Sequence, residues 1–303
     1  MGLYNACELC PRRCKVDREY GEKGVCGVDA SIKVSRAALH FWEETCISGT
    51  KGSGTVFFSG CNLHCVFCQN QAISDGRNGK IISRERLAEI YLELQEKGAN
   101  NINLVTGTHY VPDIVWSVEK ARKDGLIIPI VYNTSAYENV DTIKMLEGIV
   151  DVYLPDFKYY SEDLSKKYSH AMDYRKAAKL AIQEMVRQQP VPEFYKEANS
   201  DVELMRKGVI VRQLLLPGQL SDAKKIVSYL HRTYGEQIYV SLMSQYTPLP
   251  HIKDYPELNR SVDKRTYERY IDYAIAIGIT NGFVQEGDVA KESFIPSFDN
   301  EGV

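Results

Sequence analysis

The chain has 303 residues, of which 44% are hydrophobic and 25% are charged, and these ordinary values exclude a fibrous, low-complexity or disordered protein. Its 37 basic and 40 acidic residues give a formal net charge of −3, which provides no basic surface for nucleic acid and no polybasic patch for a membrane. We therefore expect a globular protein whose partners include neither nucleic acid nor a membrane.

All eight cysteines lie within the first 68 positions. The amino terminus lacks the apolar segment of a signal peptide, and the longest apolar run, at residues 126–132, is too short to cross a bilayer, so we expect a cytoplasmic protein. In a reducing compartment, clustered cysteines more often bind metal than form disulfides. The cysteines fall into two groups, with Cys46 between them and its role left open: Cys7, Cys10, Cys14 and Cys26, then Cys61, Cys65 and Cys68.

Residues 1–50 are rich in turns and contain the first group of cysteines. We predict a small extension that is ordered by a metal, because so short a segment has little core of its own. Four cysteines complete a metal site, and both zinc and a second iron-sulfur cluster fit that ligand set. The neighbouring Arg12, Arg13 and Arg18 are interpreted as a solvated basic face, with contact to an anionic partner as the alternative.

After the extension, apolar segments alternate with helical patterns. Strands are predicted at residues 55–60, 101–107, 126–133, 150–156, 209–218 and 237–245, and helices at 83–98, 112–123, 141–147 and 222–234. This alternation predicts right-handed crossovers and a parallel sheet, either open or closed into a barrel. We favour an α/β fold, a partial (β/α)6-type parallel barrel with a small cysteine-rich amino-terminal extension.

The predicted organisation has three parts, namely the extension at 1–50, the barrel at 51–250, and a carboxy-terminal helix and tail at 251–303 that pack on the barrel. Within the barrel, residues 169–207 are longer than one crossover requires and predict a helical insertion.

The second group of cysteines directly follows the predicted strand at 55–60. The carboxyl ends of parallel strands form the functional edge of such folds, so Cys61, Cys65 and Cys68 are expected at the barrel mouth. Three thiolates on a 4Fe-4S cluster leave one iron free for another ligand. The alternatives are a structural zinc site that includes His64, and cysteines without a metal.

The segment GCNLHCVFCQN at residues 60–70 resembles the cluster loop of the radical SAM superfamily. Together with CELCPRRC at residues 7–14, it is similar to a group related to the activating enzymes of pyruvate formate-lyase. The resemblance implies a 4Fe-4S cluster on Cys61, Cys65 and Cys68 whose open iron binds S-adenosylmethionine. It also implies reductive cleavage to a 5′-deoxyadenosyl radical, which abstracts a hydrogen atom from a substrate.

The same resemblance implies a set of cofactor-binding residues in the cysteine loop and at the ends of the later strands: Phe67, Gly107, Asn133, Lys158, Arg212 and Gln245. Gly107 lies in the turn that receives the methionine amino group, Lys158 binds the methionine carboxylate, and Gln245 stands where a ribose contact is expected. Asn133 replaces an acidic residue of the family. His109 and Tyr110 are expected to face the barrel mouth, with His109 as a substrate contact.

The resulting hypothesis is a radical SAM oxidoreductase, similar to the activating enzymes, that abstracts a hydrogen atom from a substrate. One version of it generates a glycyl radical on a partner protein. Alternative substrates are a peptide, an RNA or a small molecule, and a non-enzymatic metal-binding interaction module is the alternative class. The resemblance implies an electron donor of the flavodoxin or ferredoxin type. No catalytic side chain is assigned.

Overall fold

A computed structural model describes residues 2–197, 199–250, 252–284 and 296–303. The described strands belong to one ten-stranded sheet. They are β1 (Lys33–His40), β2 (Ser53–Phe58), β3 (Lys80–Ile81), β4 (Ile102–Val105), β5 (Ile130–Thr134), β6 (Val152–Pro155), β7 (Glu193–Lys196), β8 (Glu203–Leu214), β9 (Tyr239–Met243) and β10 (Gly282–Val284).

Helices alternate with the strands along the chain. They are α1 (Thr45–Ser48), α2 (Gln71–Ser74), α3 (Arg84–Glu96), α4 (Val111–Lys123), α5 (Val140–Lys144), α6 (Glu162–Ser169), α7 (Tyr174–Gln188), α8 (Leu220–Tyr234) and α9 (Lys264–Ala276). Within the described ranges, no helix is both long and apolar enough to span a bilayer.

The sheet is mostly parallel. Its strand order is β10-β9-β8-β6-β5-β4-β2-β1-β3, and every pair from β2 to β10 along this path is parallel. The six predicted strands correspond to β2, β4, β5, β6, β8 and β9, so the parallel α/β sheet is confirmed. Ser83 begins α3 by accepting a hydrogen bond from the Arg86 amide, as its position predicted.

Strand β1 was not predicted from the sequence. It lies inside the segment that was assigned to the extension. It pairs antiparallel with β2 and β3, and it joins the main sheet. The register shifts between Val34 and Arg36, which breaks the alternation by which a strand is recognised. The part of the extension outside the sheet therefore ends before Lys33.

The insertion contains a helix, as predicted, and also a strand that was not predicted. Helix α7 packs against the barrel, and β7 then forms an antiparallel pair with the first half of β8. Helix α9 confirms the predicted carboxy-terminal helix. The tail at residues 285–295 lies outside the described residues.

The last residues lie along β1. The Ala37 amide donates to the Glu301 carbonyl at 2.8 Å, and the Asn300 amide donates to the Ser35 carbonyl at 3.0 Å. Phe298 packs edge-on against Phe57 of β2, with 5.5 Å between the ring centroids. These contacts fix the tail beside the first strands of the barrel.

A short segment fills the inside of the curved sheet. We call residues 41–48, which run from the end of β1 through α1, the plug segment. Its Cys46 and Ile47 are buried against apolar side chains of the parallel strands, namely Val131, Val152, Leu154, Met205 and Ile210. The barrel interior is therefore a packed apolar layer at this level.

This packing predicts a large loss of stability when the plug segment is truncated. Ile47 is fully buried, so we expect Ile47→Ala to lower the free energy of unfolding by about 2–5 kcal/mol through lost burial and a residual cavity. Urea unfolding measures the difference. Ile275→Ala is the matched control, because that side chain is 66% exposed, and it should change stability by at most about 0.5 kcal/mol. Equal losses in both variants would contradict the packing described here.

Candidate cluster and cofactor site

A cavity of about 240 Å³ lies at the carboxyl ends of the parallel strands, above the plug segment. Most of the residues expected from the sequence line it. The lining residues contributed by strand ends are Cys61, Cys65, Phe67 and Cys68 after β2, Thr106 after β4, Asn133 and Thr134 in β5, Asp156 and Lys158 after β6, Arg212 in β8, and Met243 and Gln245 from β9 onward.

The three cysteines of the loop after β2 all face this cavity. Burial raises the pKa of the Cys61 thiol, and it raises the pKa of Cys68 to about 12, while the Lys158 ammonium group opposes both shifts. The Ser169 hydroxyl donates to Cys65 Sγ at 3.1 Å. Cations and hydrogen-bond donors near a thiol favour the thiolate, which is the form that binds metal.

The loop backbone depends on close contact with the extension. Gly60 has φ +90°, and a Cβ atom there would lie 2.6 Å from the Cys26 carbonyl oxygen, so only glycine fits. The Cys61 amide donates to that same carbonyl at 3.2 Å. His64 is a non-glycine residue with φ +53°, and its ring nitrogen lies 2.6 Å from the Val25 carbonyl. The imidazole is thus engaged with the extension and does not line the cavity.

Phe67 forms the centre of an aromatic cluster beneath the cysteine loop. Its ring contacts Tyr159, Tyr168 and Tyr246 edge-on, with centroid distances of 6.2, 6.3 and 6.2 Å. Edge-to-face contacts of this kind stabilise the packing beyond the area they bury. Phe67 therefore lines the cavity as part of a rigid apolar wall.

A network of buried charges forms the floor of the cavity. Arg212 donates to Asp156 Oδ1 at 2.7 Å, to Glu43 Oε2 at 2.8 Å and to Asn133 Oδ1 at 2.6 Å. Burial alone would lower the pKa of Arg212, but Asp156 and Glu43 raise it above its usual value. The arginine thus remains charged and joins β5, β6 and β8 to the plug segment.

Lys158 occupies the opposite side of the network. Its ammonium group donates to Asp156 Oδ2 at 2.7 Å, and the side chain is only 17% exposed. Burial opposes its charged form, yet Asp156 and Cys65 hold its pKa above the usual value. Burial likewise opposes the charged form of Asp156, but Arg212 and Lys158 hold that pKa below its usual range. Both groups are therefore ionised beside the cysteines.

The first group of cysteines lies next to this cavity, in the extension. Burial raises the pKa of Cys10 to about 12 and also raises that of Cys26, and both are close enough to Cys14 to feel its charge. Cys7 Sγ lies 3.8 Å from the Arg18 guanidinium. Over the described residues, no three His, Cys, Asp or Glu side chains are grouped as ligands of a single ion. A cubane has a separate iron for each cysteine, so its thiolates need not converge on one point.

Two of the arginines in the extension have structural roles, and neither the solvated face nor the anionic partner describes them. Arg12 donates to the carbonyls of Asn62 at 2.9 Å and Ser169 at 2.9 Å, which join the extension to the cysteine loop. Arg18 is 1% exposed and donates to the His109 carbonyl at 2.7 Å. The interpretations as a solvated face or an anion contact are therefore wrong for Arg12 and Arg18. Their true partners are carbonyl groups of residues distant in sequence, which no local pattern indicates.

The expectation that His109 and Tyr110 face the barrel mouth is wrong. Both are buried, and the His109 ring nitrogen lies 2.8 Å from the Ser59 carbonyl. Burial lowers the pKa of His109 to about 3, so the ring is neutral. A 3-10 turn at Thr108–Tyr110 turns these side chains toward Arg18 and the extension.

Gly107 is the one predicted cofactor residue that does not line the cavity, since Thr106 takes that place with φ +61°. A Cβ atom on Gly107 would lie 2.5 Å from Ile114 Cδ1, so the glycine permits close packing of α4. Sequence analysis missed a further group of lining residues from the end of β1 and the start of the plug segment, namely His40, Trp42, Glu43 and Glu44. The paired acidic residues after two aromatic ones were the available signal.

Residues 55–190 match the sequence model of the Radical SAM superfamily. An uncharacterized protein of Methanocaldococcus jannaschii is 29% identical over 282 residues, which cover 90% of this chain and 75% of that protein. Streptococcus suis SuiB bound to the precursor peptide SuiA is similar in structure, with a TM-score of 0.50 and 13% identity over 76% of this chain and 47% of that chain.

The FeFe-hydrogenase maturase HydG from Carboxydothermus hydrogenoformans is also similar, with a TM-score of 0.50 and 13% identity over 80% of this chain and 56% of that chain. The chain therefore spans about half the length of these solved structures. At this level of identity the likeness concerns the fold alone, and it confirms the partial barrel.

The charge network predicts a strong dependence of stability on Arg212. We expect Arg212→Leu to lower the free energy of unfolding by about 3–5 kcal/mol, because it leaves Asp156 and Glu43 buried without their cation. Chemical unfolding measures the loss. Arg86→Ala removes a partly exposed ion pair with Glu93 on the surface of α3 and should cost at most about 1 kcal/mol. Similar losses in the two variants would show that the buried network does not stabilise the barrel.

Proposed function

We propose that this protein is a radical SAM enzyme that binds a 4Fe-4S cluster through Cys61, Cys65 and Cys68, cleaves S-adenosylmethionine and abstracts a hydrogen atom from a substrate. The observation that carries the proposal is the position of three thiols and the Lys158 ammonium group around one cavity at the carboxyl ends of parallel strands. The match of residues 55–190 to the Radical SAM superfamily supports it independently.

The donor set fits the proposed cluster. Three thiolates leave one iron of a cubane without a protein ligand, and further polar groups of the chain lie in the same cavity to hold what binds there. When bound, the cluster and S-adenosylmethionine would supply a one-electron cleavage that gives methionine and a 5′-deoxyadenosyl radical.

The chain's own residues would bind and orient the cofactor. Lys158 has three N–H donors and uses one on Asp156, so it can donate to the methionine carboxylate. Arg212 and Asn133 position Asp156 and thereby Lys158. The Gln245 amide, beyond the end of β9, would contact the ribose, and the backbone of the turn at Thr106, which lines the cavity in place of Gly107, would receive the methionine amino group. The wall around Phe67 would exclude water.

The extension would hold a second metal through Cys7, Cys10, Cys14 and Cys26, as zinc or as another iron-sulfur cluster. Cys10 and Cys26 are each within electrostatic reach of Cys14, and Cys26 is also within reach of Cys7, and the number of thiols suits a closed site. The hydrogen bond between the Cys61 amide and the Cys26 carbonyl places the extension directly against the cluster loop. In this position the second metal would stabilise the loop or relay electrons.

The finer proposal is the activating-enzyme type, in which the hydrogen atom comes from a glycine of a partner protein and an electron donor of the flavodoxin or ferredoxin type supplies the electron. The balance of charge disfavours RNA among the alternatives, and a peptide and a small molecule remain. Electron paramagnetic resonance of a candidate partner after turnover distinguishes these classes, because a glycyl radical persists on the partner protein only in the activating type.

Replacement of Cys61, Cys65 and Cys68 by Ala tests the proposal. We expect the triple variant, reconstituted without oxygen, to lose iron and to form no more 5′-deoxyadenosine than a protein-free control. The physical reason is that the thiolates are the only protein ligands of the proposed cluster. Iron analysis and chromatography of the products measure both quantities.

Cys46→Ala is the matched control, since Cys46 is a buried cysteine of the plug segment outside the cavity. It should retain the cluster and cleavage. Unchanged cleavage in the triple variant would refute the proposal, and a wild-type protein that forms no 5′-deoxyadenosine would favour the non-enzymatic module. Zinc or iron that remains in the triple variant is assigned to the extension, and a variant without any metal would contradict the second site.

Lys158→Ala should weaken the binding of S-adenosylmethionine while the cluster still assembles. The expected loss is about 1.5–3 kcal/mol, the range for a hydrogen bond to a charged group, which corresponds to about tenfold or more in Kd. Anaerobic isothermal titration of the reconstituted protein measures it. Lys120→Ala, which removes an exposed lysine paired with Asp124 on α4, should change the affinity by less than about twofold. An equally small change in the Lys158 variant would remove Lys158 from the site.

A further inference from the structure

The plug segment brings two carboxylates to the cavity, and their surroundings differ. Glu43 accepts hydrogen bonds from Arg212 at 2.8 Å, from Asn103 at 3.1 Å and from Asn133 at 3.1 Å. Its oxygens are therefore satisfied by the barrel itself. Glu43 is a structural member of the charge network.

Glu44 also lines the cavity and is only 6% exposed, yet neither of its carboxylate oxygens has a hydrogen-bond partner among the described residues. The Ser241 hydroxyl lies close enough to favour the charged form of Glu44, but the two groups do not reach hydrogen-bond geometry, and the hydroxyl is also without a partner among the described residues. Buried polar groups in native proteins almost always have partners, and a buried charge without one is costly. An exception of this kind calls for an explanation.

The charges of the cavity leave Glu44 without a cation. Arg212 and Lys158 are the basic groups of the lining, and they are paired with Glu43 and Asp156. Burial lowers the pKa of His40 to about 4, so that ring adds no positive charge near neutrality. Burial and Glu43 also raise the pKa of Glu44, against the pull of Arg212. An ionised Glu44 would therefore give the lining one carboxylate more than its cations compensate, so the charged form of Glu44 requires a further cation.

We propose that Glu44 binds a positively charged amino group of the substrate. This inference rests on the proposed function, because the bound amine is a substrate only if the protein is an enzyme. The amine site itself is inferred from the geometry of the plug segment. An ammonium group would supply both the missing hydrogen bonds and the missing charge, whereas a neutral hydroxyl would supply only the hydrogen bonds. Trp42 lines the same cavity, and an aromatic face is a favourable neighbour for a cation.

Glu44 lies before the segment that matches the Radical SAM superfamily, at residues 55–190. It also lies at the floor of the cavity, and the cysteines lie in the loop after β2. An amino group held at Glu44 would thus be bound by a part of the chain separate from the cysteine loop. Substrate amines of this class include small alkylamines and the side chain of a lysine.

Binding of simple probes to the full-length protein tests the inference. We would titrate butylammonium, 1-butanol and butyrate, which share an alkyl chain and differ in charge, and follow them by ligand-observed NMR. We expect wild type to prefer butylammonium over 1-butanol by about tenfold or more, as for a charge-assisted hydrogen bond. Glu44→Gln should reduce this preference to less than about twofold, while Glu44→Asp should retain it.

Glu197→Gln is the matched control, because Glu197 is another buried glutamate that binds the Thr50 amide outside the cavity. It should keep the wild-type preference. The tripeptide Gly-Lys-Gly identifies the source of the amine. If it binds more tightly than butylammonium, the substrate is a peptide, and if the two bind equally, the substrate is a small amine. Both results support the site.

Stability provides a second readout. Glu44→Gln should unfold at the same temperature as wild type or higher, because it removes a buried ionisable group that has no ion-pair partner. A lower melting temperature would show that the carboxylate has an internal partner, and it would overturn the inference. No preference for the cation in wild type, or an unchanged preference in Glu44→Gln, would also overturn it.

The outcomes separate this inference from the proposed function. Cation-selective binding in a protein that forms no 5′-deoxyadenosine supports the amine site and refutes the radical SAM activity. Formation of 5′-deoxyadenosine without cation-selective binding refutes the amine site alone. A loss of S-adenosylmethionine affinity in Glu44→Gln, with butylammonium binding unchanged, would assign the carboxylate to the cofactor and overturn the inference.

Discussion

The buried ion pairs of Arg212 are the interaction on which the rest of the site depends. A guanidinium group with almost no solvent around it requires partners on every side, and it finds them on β5, β6 and the plug segment. Because Glu43 is one of these partners, a segment that precedes the first parallel strand becomes part of the barrel floor. The charge network therefore connects the amino-terminal third of the chain to the cavity.

The inward-facing side chains of the barrel strands change from apolar to polar within two residues. Val131 and Ile210 pack against the plug segment, and Asn133 and Arg212, two residues further along the same strands and on the same face, line the cavity. The apolar layer excludes water from below and keeps the dielectric low around the charges above it. Electrostatic interactions in such an environment are stronger than at a surface, and a carboxylate without a partner, as at Glu44, is correspondingly more costly to ionise. A group that lowers stability is retained in proteins mainly where function requires it.

The periodic pattern of apolar residues was sufficient to predict the parallel strands of the fold. Apolar runs predicted six parallel strands, and the resemblance of the cysteine loop implied Lys158 and Arg212 as residues of the barrel mouth, where the structure places them. Strand β1, with its irregular register, and the carbonyl partners of Arg12 depend on contacts between distant parts of the chain, so no local pattern indicated them. The cavity position expected for His109 failed because a 3-10 turn redirected the side chain.

The two groups of cysteines are joined through the backbone. The Cys26 carbonyl accepts the Cys61 amide, and the His64 ring contacts the Val25 carbonyl, so the conformation of each loop restrains the other. Metal binding stabilises the folded form of its own ligands. If both groups bind metal as proposed, each metal therefore favours the loop geometry that the other requires, and by linkage the effect is reciprocal. The cysteine-rich extension would then serve the catalytic cluster by ordering its loop, even if no electron passes between them.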